Sequence, residues 1–173
     1  YNEQLTTLGP GPVALVASPA HLKRLPDTQD WQALASALRV VFSSGGPLPV
    51  DAALTVHRLW GQAAIEVFGS TETGGVAWRR GDGSRAPWQP LPGVQWRVQD
   101  GLLDVRSPHL PSNDWWSTSD RAHDAGAGRF ELLGRADRIV KLEERRISLD
   151  AIQARLQDSD LLDDVRVLAL PGH

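Results

Sequence analysis

Cysteine and methionine are both absent from the 173 residues. Without cysteine there is no disulfide framework, no thiolate metal site and no thiol nucleophile. The chain opens at Tyr1 rather than Met, so it reads as an internal piece of a longer protein, and the lack of a signal peptide carries no information. Lysine occurs only at Lys23 and Lys141; the preference for arginine is attributed to genomic base composition and given no mechanistic weight. No apolar run approaches the roughly 18 residues a membrane helix needs, so no membrane span is expected. A formal net charge of −3 argues against nucleic acid as a partner, since such proteins carry a basic surplus. No internal repeat or low-complexity tract stands out. His21, His57, His109 and His123 show no metal-ligand spacing with other donors.

What is present suits an ordinary soluble domain. Hydrophobic residues make up 41% and charged residues 23% of the chain, typical of a globular fold. A chain of this length buries about 70% of its unfolded surface, enough for a core. The first half alternates apolar strand runs with helical spacing. Val13–Ala17, Leu38–Phe42 and Ala64–Phe68 read as buried strands. Ser18-Pro19 opens a helix with a cap and a first-turn proline, residues 30–38 read as another helix, and Val50–Trp60 has helical spacing. That order predicts parallel strands with crossover helices. From Arg79 to Pro92 the composition turns to Arg, Gly and Pro, the mark of a connector. Val94–Val98, Leu102–Arg106 and Arg129–Leu133 then read as short antiparallel strands. Leu149–Leu156 reads as a helix and Val165–Leu170 as a strand. The fold class is therefore α/β: a partial parallel sheet with flanking helices over residues 1–80, a small antiparallel β-subdomain over 81–136, and the start of an α+β lid over 137–173.

Four segments carry chemistry. In Phe68-Gly69-Ser70-Thr71-Glu72 a strand ends in an aromatic, a glycine, hydroxyls and a carboxylate. Strand ends of open α/β sheets are where ligands bind, the hydroxyls can donate to phosphate oxygens, and a carboxylate can hold Mg²⁺. An ordinary βα turn with Glu72 in solvent is the plain alternative. Ser43-Ser44-Gly45-Gly46-Pro47-Leu48-Pro49 is a loop by composition, or simply a helix-entry turn. Trp116-Ser117-Thr118-Ser119-Asp120 is, on its residues alone, an exposed Asx turn. Gly134-Arg135-Ala136-Asp137-Arg138-Ile139-Val140-Lys141 is otherwise a solvated, charge-rich hairpin.

Together, and in this order, the four segments resemble those of the adenylate-forming enzymes: acyl-CoA synthetases, peptide-synthetase adenylation domains and luciferases. The first resembles their aromatic-Gly-x-Thr-Glu motif, the second their Gly-Gly-x-Pro-Leu loop beside adenine, the third their Thr-Gly-Asp motif and the fourth their Gly-Arg-x-Asp-x-x-Ile/Val-Lys segment. The resemblance implies an ATP-dependent, AMP-forming ligase of the cytoplasm, with ATP and Mg²⁺ as cofactors. Its partners would be a carboxylic acid substrate and the pantetheine thiol of CoA or an acyl carrier protein. Gly45, Gly46 and Pro47 would lie beside the base and Phe68 would stack on it, with Gly69 and Ser70 completing the strand end. Thr71 would touch the phosphates, Glu72 would hold Mg²⁺, Asp120 would accept from the ribose hydroxyls and Arg135 would contact ribose or α-phosphate. Asp137 would be the hinge, and Lys141, grouped with Thr71 and Glu72 as catalytic, would begin the lid. The family's upstream phosphate loop and late lid lysine have no counterpart here, so the isolated chain is expected to be inactive. A nucleotide-binding module without catalysis and, from the seven tryptophans, a glycan-binding platform are the rival readings; burial of those rings in the β-subdomain is the simpler use. Glu144 stands where the family has glycine after the hinge. It is read either as a tolerated surface change or as a sign that the acceptor is a carrier protein, as in ligases of aryl-polyene-type clusters, because a carboxylate there repels the phosphates of CoA.

Overall fold

The computed structural model describes residues 11–26, 30–142, 145–157, 159, 162 and 165–170. Three strands open the fold: β1 (Val13–Ala17), β2 (Leu38–Ser44) and β3 (Ala64–Ser70). They pair in parallel, β1 with β2 and β2 with β3. Between them run α1 (Pro19–Lys23), α2 (Gln32–Ala37) and α3 (Val50–Trp60).

Each helix has a local cause. The Ser18 side chain accepts from the His21 amide and Pro19 takes the first turn of α1, where its missing N–H has no intrahelical role. In α3 the buried side chains Ala52, Ala53, Val56 and Trp60 share one face, Asp51 sits in the first turn, and Gly61 closes the helix in the left-handed region at φ 68°. That face joins Leu22, Trp31, Leu34, Leu38, Val41 and Leu48 in one core, where Trp31 meets Trp60 edge-on at 5.6 Å. Val13, Leu15 and Ala17 of β1 pack against it, whereas Val16, on the opposite side of that strand, is 70% exposed.

After β3 the chain departs from the expected alternation. No helix follows. A tight turn leads into β4 (Gly74–Gly81), antiparallel to β3, and then to the two-residue β5 (Gln89–Pro90). The first sheet thus has the order β1-β2-β3-β4-β5, and β4 occupies residues that the composition marks partly as connector. A four-stranded antiparallel sheet follows, β6 (Gln95–Gln99), β7 (Leu102–Arg106), β8 (Trp116–Gly126) and β9 (Arg129–Arg135), in sequence order. A single 3₁₀ turn, Ala136–Arg138, leads to the hairpin of β10 (Ile139–Leu142) with β11 (Arg145–Ser148) and to α4 (Leu149–Gln157). The strand expected at Val165–Leu170 is not formed: that segment is irregular, with Leu168 and Leu170 exposed. An apolar run makes a strand only where a neighbour accepts its backbone hydrogen bonds.

A second core joins the two larger sheets. Val76 and Ala77 of β4, Trp88, Leu103 and Val105 of β7, Ala122 of β8 and Phe130 of β9 are buried together. Phe130 is fully buried, 5.1 Å from Trp96 and 6.3 Å from Phe68 by ring centroid. Its backbone exchanges hydrogen bonds with Trp88, N to O at 3.2 Å and back at 2.7 Å. The tryptophans divide accordingly: Trp88 is core, and Trp116 is 44% exposed. Truncating the ring leaves a cavity that this crowded junction cannot fill. Phe130→Ala is expected to cost about 3–5 kcal/mol, read as a lower midpoint in urea denaturation followed by tryptophan fluorescence.

Candidate functional site

The turn between β3 and β4 is built from the residues of the first motif. Phe68 ends the regular pairing of β3, and a register shift falls between Phe68 and Gly69. A Cβ on Gly69 would stand 2.1 Å from the Gly74 carbonyl oxygen, so only glycine lets the hairpin close. Thr73, buried, locks the turn. Its hydroxyl accepts from the Ser70 amide at 3.1 Å and donates to the Gly74 carbonyl at 3.1 Å, while its own amide donates to the Ser70 hydroxyl at 3.2 Å. Ser70 is thereby part of the turn's scaffold as well as exposed, and Thr71 and Glu72 are presented to solvent at its tip. Thr73 has no role in the motif as read from sequence; a hydroxyl three residues after another is the cue that a reciprocal turn bond can form.

The Phe68 ring is half-buried. It packs at 5.6 Å from Trp88 and 6.3 Å from Phe130, its edge set into the second core. Ser44 of β2 pairs with Val67, so Gly45, Gly46 and Pro47, all exposed, leave the sheet one step from Phe68.

The third and fourth motifs meet across β8 and β9. Asp120 is the cross-strand partner of Arg135. The Arg135 guanidinium holds Asp137 in a two-point contact, Nε to Oδ1 at 2.9 Å and Nη2 to Oδ2 at 2.6 Å. These bonds, then the positive charge itself, keep the Asp137 carboxyl below its ordinary value. Glu72 is also held low: a hydrogen bond from the Ser70 side chain is the largest cause, its own backbone amide adds to it, and the Arg135 charge acts in the same direction. Asp120 behaves oppositely. Burial pushes its carboxyl up, the Asp137 and Asp150 charges push the same way, and Arg135 and the Thr118 hydroxyl only partly offset them. Four residues from three motifs, Glu72, Asp120, Arg135 and Asp137, therefore share one electrostatic neighbourhood with Arg135 as the common cation.

One member of that neighbourhood has no motif. Asp150, in the first turn of α4, accepts from the Arg135 amide at 3.3 Å and from the Arg138 guanidinium. Arg138 also donates to Gln153 at 3.0 Å and to the Val167 carbonyl at 3.2 Å. An acid at a helix start is ordinary capping chemistry, so nothing in the local pattern marks Asp150 as a partner of the segment Gly134–Arg138. Lys141 lies in β10, its backbone paired with Arg146; its side chain, like residue Glu144, lies outside what is described.

The donor set can be tested against Mg²⁺. Among the described residues no group of three or more His, Cys, Asp or Glu gathers to hold a metal. Mg²⁺ takes one or two protein carboxylates and fills its remaining positions with water and substrate phosphate oxygens. A single exposed carboxylate kept anionic, as Glu72 is, fits that requirement.

Comparison with known proteins gives a consistent picture. A family model described as AMP-binding enzyme matches residues 10–110. A 4-coumarate–CoA ligase of Rhodobacter capsulatus is 30% identical over 115 residues, which cover 66% of this chain and 28% of the relative. ATP-bound MatB from Rhodopseudomonas palustris superposes with a TM-score of 0.70 at 20% identity, over 90% of this chain and 37% of that one. MenE of E. coli with a bound OSB-AMS analogue gives 0.71 at 18% identity, over 98% and 40%. The chain thus spans between a quarter and two fifths of these proteins.

The raised Asp120 carboxyl has a consequence for stability. A carboxyl whose folded pKa exceeds its unfolded value favours folding fully only below the unfolded value, and that contribution is lost as pH rises through the folded one. At neutral pH the fold therefore carries Asp120 as a burden. Asp120→Asn is expected to raise the melting temperature at pH 7 and to leave it nearly unchanged at pH 3. A lower melting temperature at pH 7 would show the charge to be stabilising instead.

Proposed function

The chain belongs to the AMP-binding enzyme family, and from that premise we propose that the protein carrying it activates a carboxylic acid with ATP and passes the acyl group to a pantetheine thiol. The observation that supports this most is the meeting of the third and fourth motifs, where Asp120 and Asp137 both act on the Arg135 guanidinium, whose charge also reaches Glu72. In this reading residues 1–80 are the later part of the nucleotide-binding domain, 81–136 its small β-subdomain and 137–173 the hinge and beginning of a lid.

Position supports each of the roles proposed. The exposed loop Gly45-Gly46-Pro47 and the Phe68 ring flank the base. Asp120, half-buried, takes the ribose hydroxyls; two hydroxyl donors offset the desolvation that raises its carboxyl. Thr71 donates to phosphate oxygens at the turn tip. Glu72 would hold Mg²⁺, which when bound neutralises phosphate charge. Arg135 binds ribose or α-phosphate, exchanging its contact with Asp137 for one with the nucleotide, and its planar fork suits that task. Asp137 then becomes free to act as the hinge from which the Lys141 strand departs.

The chemistry is two displacements. A carboxylate oxygen of the acid attacks the α-phosphorus of ATP; the acyl–phosphate bond forms and the bond to pyrophosphate breaks. The sulfur of the thiol next attacks the acyl carbon, forming the thioester and releasing AMP. Positioning and charge neutralisation supply most of the acceleration in phosphoryl chemistry, which accords with a site rich in charge and poor in nucleophiles. The acceptor is CoA or an acyl carrier protein. Among the described residues no helix is long and apolar enough to cross a membrane, and a cytoplasmic enzyme is the setting this chemistry suits.

Replacing the Glu72 carboxylate by a neutral amide removes the negative charge that a hard cation such as Mg²⁺ prefers. In the full-length protein Glu72→Gln is expected to lower ATP–pyrophosphate exchange on the order of 10–100-fold at limiting Mg²⁺, with partial recovery at saturating Mg²⁺. Unchanged exchange at limiting Mg²⁺ would remove Glu72 from the site.

A further inference from the structure

The most deeply buried charge in the first sheet belongs to no motif. Glu66, on β3 two residues before Phe68, has a side chain only 5% exposed. Both of its oxygens are used. Oε1 accepts from Arg79 Nε at 2.8 Å, and Oε2 accepts from Arg79 Nη2 at 3.0 Å and from the Leu48 backbone amide at 3.3 Å. Arg79, on the neighbouring strand β4 and 18% exposed, lies over the Trp88 ring at 4.4 Å. Trp88 in turn packs against Phe68.

Resting on the nucleotide reading above, we infer that Glu66 is a positioning residue for the nucleotide base: it holds the loop Gly45–Leu48 on one side and, through Arg79 and Trp88, the Phe68 ring on the other. Burying a charge is costly unless it is paired and fully hydrogen-bonded, and a leucine pair would tie β3 to β4 more cheaply. A carboxylate does what an apolar pair cannot. Its two oxygens reach two different targets, a guanidinium in the next strand and a backbone N–H in a loop 18 residues away in sequence. That amide belongs to the residue directly after Gly45-Gly46-Pro47, three exposed residues with no other described hydrogen bond to hold them.

The slot that admits this contact is itself specific. Leu48 is 8% exposed, and a Cβ on Gly81 would lie 2.9 Å from Leu48 Cδ2, 3.2 Å from Glu66 Cγ and 3.3 Å from the Ala64 carbonyl oxygen. Gly81 pairs with Ala64 at the far end of β3 from the turn and has no positive φ, so alanine strains the anchor without straining its own backbone. Of the motif residues it would meet only Leu48, the one that Glu66 anchors.

The test uses the full-length protein and two variants, Glu66→Gln and Gly81→Ala, chosen because one alters charge and the other only space. Binding of ATP and of GTP is measured by titration calorimetry in Mg²⁺ buffer, with thermal melts to establish that each variant is folded. Both variants are expected to bind ATP about tenfold more weakly, the factor an ordinary hydrogen bond is worth, and to lose ATP-over-GTP preference by a similar factor, because misplaced base-side walls stop distinguishing bases. Equal weakening of both nucleotides would show a merely structural role and overturn the inference. So would wild-type affinity and preference in folded variants; the nucleotide reading would then stand without it. If Glu66→Gln fails to fold, Gly81→Ala alone decides by the same two criteria. No ATP binding by the wild-type protein would overturn the underlying reading and this inference with it.

Discussion

Phe130 sits where two sheets meet, with Trp88, Phe68 and Trp96 around it. The rest of the structure depends on that contact. The first motif is carried by the five-stranded sheet, and the third and fourth by the four-stranded one. Nothing in chain connectivity forces Glu72 toward Asp120 and Arg135; the aromatic cluster does, aided by the backbone exchange between Trp88 and Phe130. Aromatic rings suit such a joint, since each buries a large area in a fixed geometry. They also make the joint stiff, and a stiff joint is what a site assembled from two sheets requires.

Around that joint the polar residues are arranged against stability rather than for it. Asp120 is kept partly desolvated near two other carboxylates. Arg135 spends its guanidinium on Asp137, an exposed pair that contributes little to folding. Glu66 is buried, with the half-buried Arg79 against it, where apolar side chains would serve the core. Perturbed and concentrated charges of this kind gather where ligands bind. The first core, under α1 to α3, is built on Leu22, Trp31, Val41, Val56 and Trp60.

Much of this was legible in the residues. The strands β1 to β3 announced themselves as apolar runs, α3 by its helical spacing, and α1 by Ser18-Pro19. β4 and β8 were not. β4 reads Gly-Gly-Val-Ala-Trp-Arg-Arg-Gly, in which glycine and arginine suggest a connector, yet Val76 and Ala77 are buried between the sheets. β8, Trp116–Gly126, is polar and mostly exposed, with no alternation to betray it; its conformation is set by β7 and β9 on either side. Val165–Leu170 shows the converse, an apolar run that forms no strand, and among the described residues no strand pairs with it. Of the site, Glu72, Asp120, Arg135 and Asp137 were visible as motif positions. Their convergence was not, since spacing along a chain does not give distance across a sheet. Asp150 and Glu66 were invisible altogether, because their partners lie 12 to 18 residues away in segments that carry no shared pattern.

The central claim is that these elements form one nucleotide site at the junction of the two sheets. A crystal structure of the full-length protein with AMP and Mg²⁺ tests it most directly. The account predicts adenine between the Gly45–Pro47 loop and the Phe68 ring, the ribose hydroxyls on Asp120, and the phosphate near Thr71 and Arg135, with the Arg135–Asp137 contact opened. A nucleotide bound elsewhere, or one that leaves Asp120 and Arg135 untouched, would contradict it.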